Sequence, residues 1–208
     1  PFDDPWIPET SYPNLPEYPY DFGIEREVTV LKTGQEPYNW QIEDFEKPKE
    51  EDLIIYEVLI RDFDSERTFQ NLIDRIDYFK DLNINAIELM PVMEYEGNES
   101  WGYNTAFHMS VDKFYGPEEK LKEFIDLCHQ NGIAVIFDLV MNHVMGRSPM
   151  NRMWMNDPDG NGWGEPSEES PYFNEIATHS YGLGNDFNHQ SSYTQYYTQR
   201  VVKHWVEE

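Results

Sequence analysis

The chain reads as an α/β protein whose parallel strands are joined by helical crossovers. Three observations predict this class. Apolar, strand-like runs recur at 53–60, 86–91 and 134–140. Segments with helical spacing lie between and after them. The order strand, helix, strand, helix, strand, long connection, helix implies right-handed crossovers in one sheet.

The elements follow in order. Residues 1–50 hold eight of the 14 prolines, mixed with Trp6, Tyr12, Tyr18, Tyr20, Tyr38 and Trp40. Proline at this density cannot form a helix or a central strand. An extended arm on the surface is expected, with a short strand at 27–31 and with its aromatics pinning it to the body. The run 53–60 is β-branched and aliphatic and predicts a buried strand. Phe69, Leu72, Ile73, Ile76 and Phe79 keep the spacing of one helix face. A second strand over 86–91 is stopped by Pro91. Leu121, Phe124, Ile125 and Cys128 mark a second helix face. Pro117 suits the first turn of that helix, Glu118 and Glu119 suit its dipole, and Gly132 suits its C-terminal cap. The third strand spans 134–140. Tyr193, Tyr196, Tyr197, Val201 and Trp205 place a third helix near 192–208. The expected division is an arm at 1–50, the first β/α units at 51–145, an insertion at 146–191 and the third helix at 192–208.

Composition narrows the function. With 208 residues the chain can bury a sizeable core. Its 40 acidic and 15 basic residues give a formal charge of −25. That surface repels phosphate backbones and anionic lipid, so no nucleic acid is expected as a partner. It remains compatible with a neutral polar ligand such as a sugar. No run of about 18 apolar residues occurs, so no membrane insertion is expected. The one cysteine, Cys128, falls on an apolar helix stripe and reads as a small core residue. It leaves the compartment open, with a secreted or cell-surface location expected over a cytoplasmic one.

The chemistry gathers where strands end. The run Ala134-Val-Ile-Phe-Asp-Leu-Val-Met-Asn-His143 delivers Asp138, Asn142 and His143 at and just beyond a strand's carboxyl end. In parallel α/β folds that end is where ligands bind. Two connections, 93–115 and 144–191, are much longer than compact domains usually allow. Both leave this face. They carry Trp101, Tyr103, Trp154, Trp163, Tyr172, Phe173, Tyr181 and Phe187. Aromatic rings beside carboxylates, amides and imidazole suit sugar recognition, because a pyranose offers an apolar face and a rim of hydroxyls. Most of these rings are expected to form the core of a small subdomain, and one or two to face ligand.

These residues carry a resemblance. Asp138-Leu-Val-Met-Asn-His143 resembles the first signature of the α-amylase superfamily, at the end of the third barrel strand. Ser100-Trp-Gly-Tyr-Asn-Thr105 resembles the segment after strand two that supplies a stacking tyrosine. Asn185-Asp-Phe-Asn188 is similar to the family's short signature near the end of domain B, the excursion after strand three. Tyr56-Glu-Val-Leu-Ile-Arg61 and Ile87-Glu-Leu-Met-Pro91 fit the first two strands. The resemblance covers roughly 53–208 and keeps motif order.

It implies a partial (β/α)8 TIM barrel, about its first three strands, acting on α-glucans such as starch or glycogen with retention. Tyr103 would stack on the sugar in the cleavage subsite. His143 would hydrogen-bond that sugar's hydroxymethyl side, and Asp138 would be a buried carboxylate organising the site. Asn142 and Asp186 match positions that bind a structural calcium in many members, though some members lack it. A retaining glycosidase needs two carboxyl groups about 5–5.5 Å apart. In this family the nucleophile, the acid/base and a third carboxylate follow strands four, five and seven. None is assigned here, so the chain is expected to be a fragment, inactive alone, whose partner is the remainder of its own barrel. Hydrolysis or transfer, and α-1,4 or α-1,6 linkage, stay open.

A second motif runs from Asp157 to Glu168 and fits the EF-hand pattern, with Asp157, Asp159, Asn161, the Trp163 carbonyl and Glu168 as calcium ligands. Pro158 and Pro166 stiffen it, and Gly164 replaces the usual apolar residue. A simple turn fits the same residues. Alternatives to the enzyme are a non-catalytic glucan-binding member of the same fold and a calcium-binding module. No nucleotide loop, zinc motif or serine elbow occurs.

Overall fold

The computed structural model describes residues 33–208 apart from Asn98, 161–163 and Tyr181. In chain order its elements are β1 (Ile55–Val58), α1 (Ile60–Phe63), α2 (Phe69–Asp74), α3 (Ile76–Asp81), β2 (Ala86–Leu89), β3 (Met93–Tyr95), β4 (Thr105–Val111), α4 (Glu118–Gln130), β5 (Ala134–Phe137), β6 (His143–Val144), α5 (Pro149–Met153), β7 (Met155–Asn156), β8 (Glu165–Pro166), β9 (Asn185–Asp186) and α6 (Ser192–Glu207). They form two compact units. The first runs through Val92 and resumes over 110–138; the second is 93–109 with 139–208.

The first unit is built on a parallel sheet in the order β1-β2-β5. Ile55 lies opposite Ala86, and Leu89 opposite Phe137. Parallel neighbours need long crossovers, which α2 and α3 supply between β1 and β2 and α4 supplies between β2 and β5. Phe69, Leu72, Phe79, Ala86, Ile87, Leu89, Phe124 and Cys128 are sealed from solvent, and α2 packs on α4. These are the residues that the helical and strand patterns select. The alternation of parallel strands and helices is the architecture of a (β/α)8 barrel, of which this unit is a part.

Three local differences have physical causes. The helix expected over 69–79 breaks at Arg75, whose φ of −104° and ψ of 15° leave the helical region. Arg75 reaches back to Asp64 at 2.9 Å. Its N–H bonds to Asn71 and Leu72 carbonyls close α2 before α3 begins. The first strand is buried only at its end: Val58 is 3% exposed but Ile55 is 46% exposed, because β1 is a sheet edge among the described residues. The third strand stops at Phe137 rather than 140, although the Asp138 N–H still donates to Leu89 O at 3.1 Å.

The arm is fastened to α4. Backbone N–H groups of Gln41 and Ile42 donate to the buried Asp126 carboxylate at 3.0–3.1 Å. Phe45 stacks on His129 with centroids 4.0 Å apart. Tyr38 and Trp40 meet edge to face. The expected strand at 27–31, and Trp6, Tyr12, Tyr18 and Tyr20, lie outside the described residues.

The second unit shows that neither long connection is structureless. β3 and β4 form a two-stranded sheet, β6 pairs antiparallel with β9, and β7 with β8. Val144, Phe173 and Phe187 form its core, with Met150, Tyr172 and Tyr197 against it. Three of the eight loop aromatics, Tyr172, Phe173 and Phe187, are thus structural, while Trp163 and Tyr181 lie outside the described residues. The unit takes in α6 and 93–109, which the sequence division assigned elsewhere. Side chains explain the grouping: Trp205 Nε1 donates to His108 O at 2.7 Å, Tyr197 Oη lies 3.1 Å from His108 Nδ1, and Thr194 Oγ1 donates to Tyr172 O at 2.8 Å. Among the described residues no helix is long and apolar enough to cross a membrane.

Candidate functional site

The second unit brings together two of the three expected sugar-binding residues. His143 begins β6 and is buried. Its Nε2 sits 2.7 Å from the carbonyl oxygen of Tyr103. A carbonyl only accepts, so Nε2 carries the proton and Nδ1 is left as an acceptor. Nδ1 is buried with no hydrogen-bond partner among the described residues. Burial pushes the imidazole below its ordinary pKa, which favours this neutral, single-donor form.

The Tyr103 loop is tightly cross-linked. Gly102 N donates to Ser100 Oγ at 2.9 Å, Ser100 Oγ donates to Asn104 Oδ1, and Asn104 Nδ2 donates to Glu96 O at 2.6 Å. Thr105 Oγ1 donates to Gly102 O at 3.2 Å. Gly102 has φ of +97°, a left-handed conformation that glycine adopts without strain. The tyrosine backbone is therefore fixed from both sides and from His143.

Asp138 belongs to the first unit. It follows β5 directly and is half-buried, and its backbone extends the ladder to β2. Asn142 and Asp186 are in the second unit. The Asn142 side chain is exposed, while its carbonyl accepts from Phe187 N at 3.0 Å. Asp186 is buried opposite His143 in the β6–β9 pair. Its Oδ2 accepts from Asn174 Nδ2 at 2.7 Å and from Thr178 N and Oγ1 at 2.9 Å each. Its Oδ1 faces His179 Nε2 at 3.5 Å. Burial alone would raise this carboxyl, but the bonds from Thr178 and Asn174 outweigh it and hold the group below the usual carboxylate range. Calcium needs six to eight free oxygen lone pairs around it. Here one carboxylate oxygen is filled by three protein donors and the other faces a nitrogen. This donor set fits a protein clamp and does not fit a calcium cage.

The Asp157–Glu168 segment is the end of a hairpin. It follows β7 directly and contains β8, the antiparallel partner of β7, and Gly160 N turns back to Asp157 O. Asp159 and Glu168 are exposed, and Asn161 and Trp163 lie outside the described residues. Gly164 has a steric reason: a Cβ there would lie 1.7 Å from Asn156 O. Among the described residues no three His, Cys, Asp or Glu side chains gather as a metal site.

Sequence reasoning missed the Asp186 partners Asn174, Thr178 and His179, and the role of His108. No motif or periodicity marks them, since each acts across the fold. His108 is sealed between Tyr197 and Phe187, and burial pushes its imidazole down to about 4.

The fold and this site define a barrel segment with an elaborated excursion after its third strand, the tyrosine loop and the His143 strand meeting through one hydrogen bond. The description "Alpha amylase, catalytic domain" matches residues 61–208, and the chain belongs to that family. Malto-oligosyltrehalose trehalohydrolase from Saccharolobus solfataricus is 33% identical over 172 residues, 82% of this chain and 28% of that protein. The 1,4-alpha-glucan branching enzyme GlgB from Halothermothrix orenii is 32% identical, again over 82% of this chain and 28% of its own length. A solved putative alpha amylase from Salmonella typhimurium aligns with a TM-score of 0.66 at 24% identity, covering 85% of this chain and 27% of its own, a likeness of fold alone. The chain thus spans little more than a quarter of these relatives.

Proposed function

We propose that this chain is the amino-terminal part of the catalytic barrel of a retaining glycosidase or transglycosidase acting on α-glucans. One observation carries the reading: in a chain of this family, the backbone of half-buried Tyr103 is locked to buried His143 at 2.7 Å, which fixes the tyrosine in place. A sugar supplies what a fixed tyrosine wants, an apolar ring face, and its rim of hydroxyls suits the polar groups of the loop around it. Fixing the groups before the sugar arrives removes an ordering cost from binding. In the first unit, Asp138 places a carboxylate directly after β5. The residues of this chain position the sugar, and the reacting carboxylate pair comes from later barrel strands, so 1–208 alone turns nothing over. The names of the relatives, a trehalohydrolase and a branching enzyme, support the α-glucan class.

The test is an assay of the full-length protein on maltooligosaccharides and a starch-type glucan, reading both reducing ends and transferred chains. Turnover is expected, with kcat falling at least about tenfold in His143→Ala. Absence of turnover on every α-glucan, or full activity of 1–208 alone, overturns the reading.

A further inference from the structure

We propose that Trp101 is a second stacking platform, holding the glucosyl unit next to the one on Tyr103. The proposal rests on the α-glucan reading of the site.

Trp101 is 60% exposed. A large ring left in water loses the burial that would normally repay ordering it. Exposed side chains usually sit on segments free to move, but this one does not. It lies between Ser100, whose hydroxyl joins Gly102 N and Asn104 Oδ1, and Gly102, which is buried and whose carbonyl accepts from Thr105. The turn holding the indole out of the protein core is thus among the most cross-linked parts of the second unit.

Every other described tryptophan of that unit is at least partly covered: Trp154 is half-buried, and Trp205 donates its indole N–H to His108 O. Trp101 differs in combining exposure with a fixed backbone. The position fits a polymer. Trp101 and Tyr103 are two steps apart in the chain, so their Cα atoms lie at most about 7 Å from each other. Consecutive units of one glucan can meet both rings. Indole offers the broadest apolar face of any side chain for the C–H face of a sugar, and it demands no charge of the ligand.

The full-length protein carrying Trp101→Ala, and separately Trp101→Phe, tests this with steady-state kinetics on maltooligosaccharides of increasing length and with thermal melting. The expected result for Trp101→Ala is a KM raised about five- to tenfold on long substrates, the size of one lost stacking contact. Most of the loss in kcat/KM then falls on KM, the melting temperature is kept, and Trp101→Phe recovers most of the loss. Unchanged KM at every length overturns the proposal, as does a loss confined to kcat or accompanied by a lowered melting temperature, which would make Trp101 structural. A native protein with no turnover of any α-glucan overturns the site reading and this proposal together, whereas native turnover with an indifferent Trp101→Ala overturns this one alone.

Discussion

The two units of this chain are held together by different means. The first is an apolar core between regular elements: Phe69, Leu72, Phe79, Ile87 and Phe124 are sealed from water. The second has a three-residue apolar core of Val144, Phe173 and Phe187. Side-chain hydrogen bonds reaching across its loops complete it, at Asp186, His143, His108, Thr194 and Trp205. Non-directional burial tolerates a plain scaffold, whereas directional bonds place individual atoms. Tyr103 and His143 lie in the unit built from directional bonds, and Asp138 lies in the other.

The comparison can be broken at either end. Phe124→Ala should have the largest effect, about 3–5 kcal/mol, because it opens a cavity under α4, which packs on α2 and β5. Melting of the full-length protein reads it, and hydrogen exchange should locate the lost protection in 110–138. A loss below about 1 kcal/mol would mean that the first unit does not rest on its core.

The second unit should instead respond to protons. Buried His108 is neutral in the folded chain down to about 4, against 6.5 for an ordinary histidine. Above pH 6.5 both states are neutral and the group contributes nothing. Between 6.5 and 4 the unfolded chain takes up the proton first, so stability falls by about 1.4 kcal/mol per pH unit as pH drops, and the loss is complete below 4. His108→Phe should flatten that part of the melting-temperature profile. An unchanged profile in the variant would remove His108 as the cause.

Asp186→Ala comes last, at about 1–3 kcal/mol, the penalty of leaving the Asn174 and Thr178 donors unpaired. Asp186→Asn keeps one acceptor and should lose less. A calcium chelator should move the native melting point less than either variant. A drop of several degrees on chelation would restore the ion to this site.

What the sequence revealed follows the same divide. Phe69, Leu72, Phe124 and Cys128 repeat at helical spacing because burial selects one face of a helix, so the first unit was legible. The break at Arg75 was not, because it depends on Asp64, eleven residues away. Asp138, His143 and Tyr103 were legible as chemistry at strand ends and as family signatures. That Tyr103 presents its carbonyl to His143, or that Asp186 is clamped by Asn174 and Thr178, has no local signal. A polar contact between distant loops leaves no period and no composition. The hairpin β7–β8 was hidden for a related reason: a short acidic turn and a calcium loop share residue types.

The bond between the arm and α4 sets where this protein can be shortened. A chain begun at residue 51, the boundary that composition suggests, would keep every strand and helix of the first unit. It would also strip Asp126 of the Gln41 and Ile42 N–H groups that it accepts from and uncover the His129 face that Phe45 shields. A buried carboxylate without those donors is destabilising. Proline-rich residues that look like dispensable linker thus serve as the missing wall of a helix, and a trimmed version should begin before Tyr38.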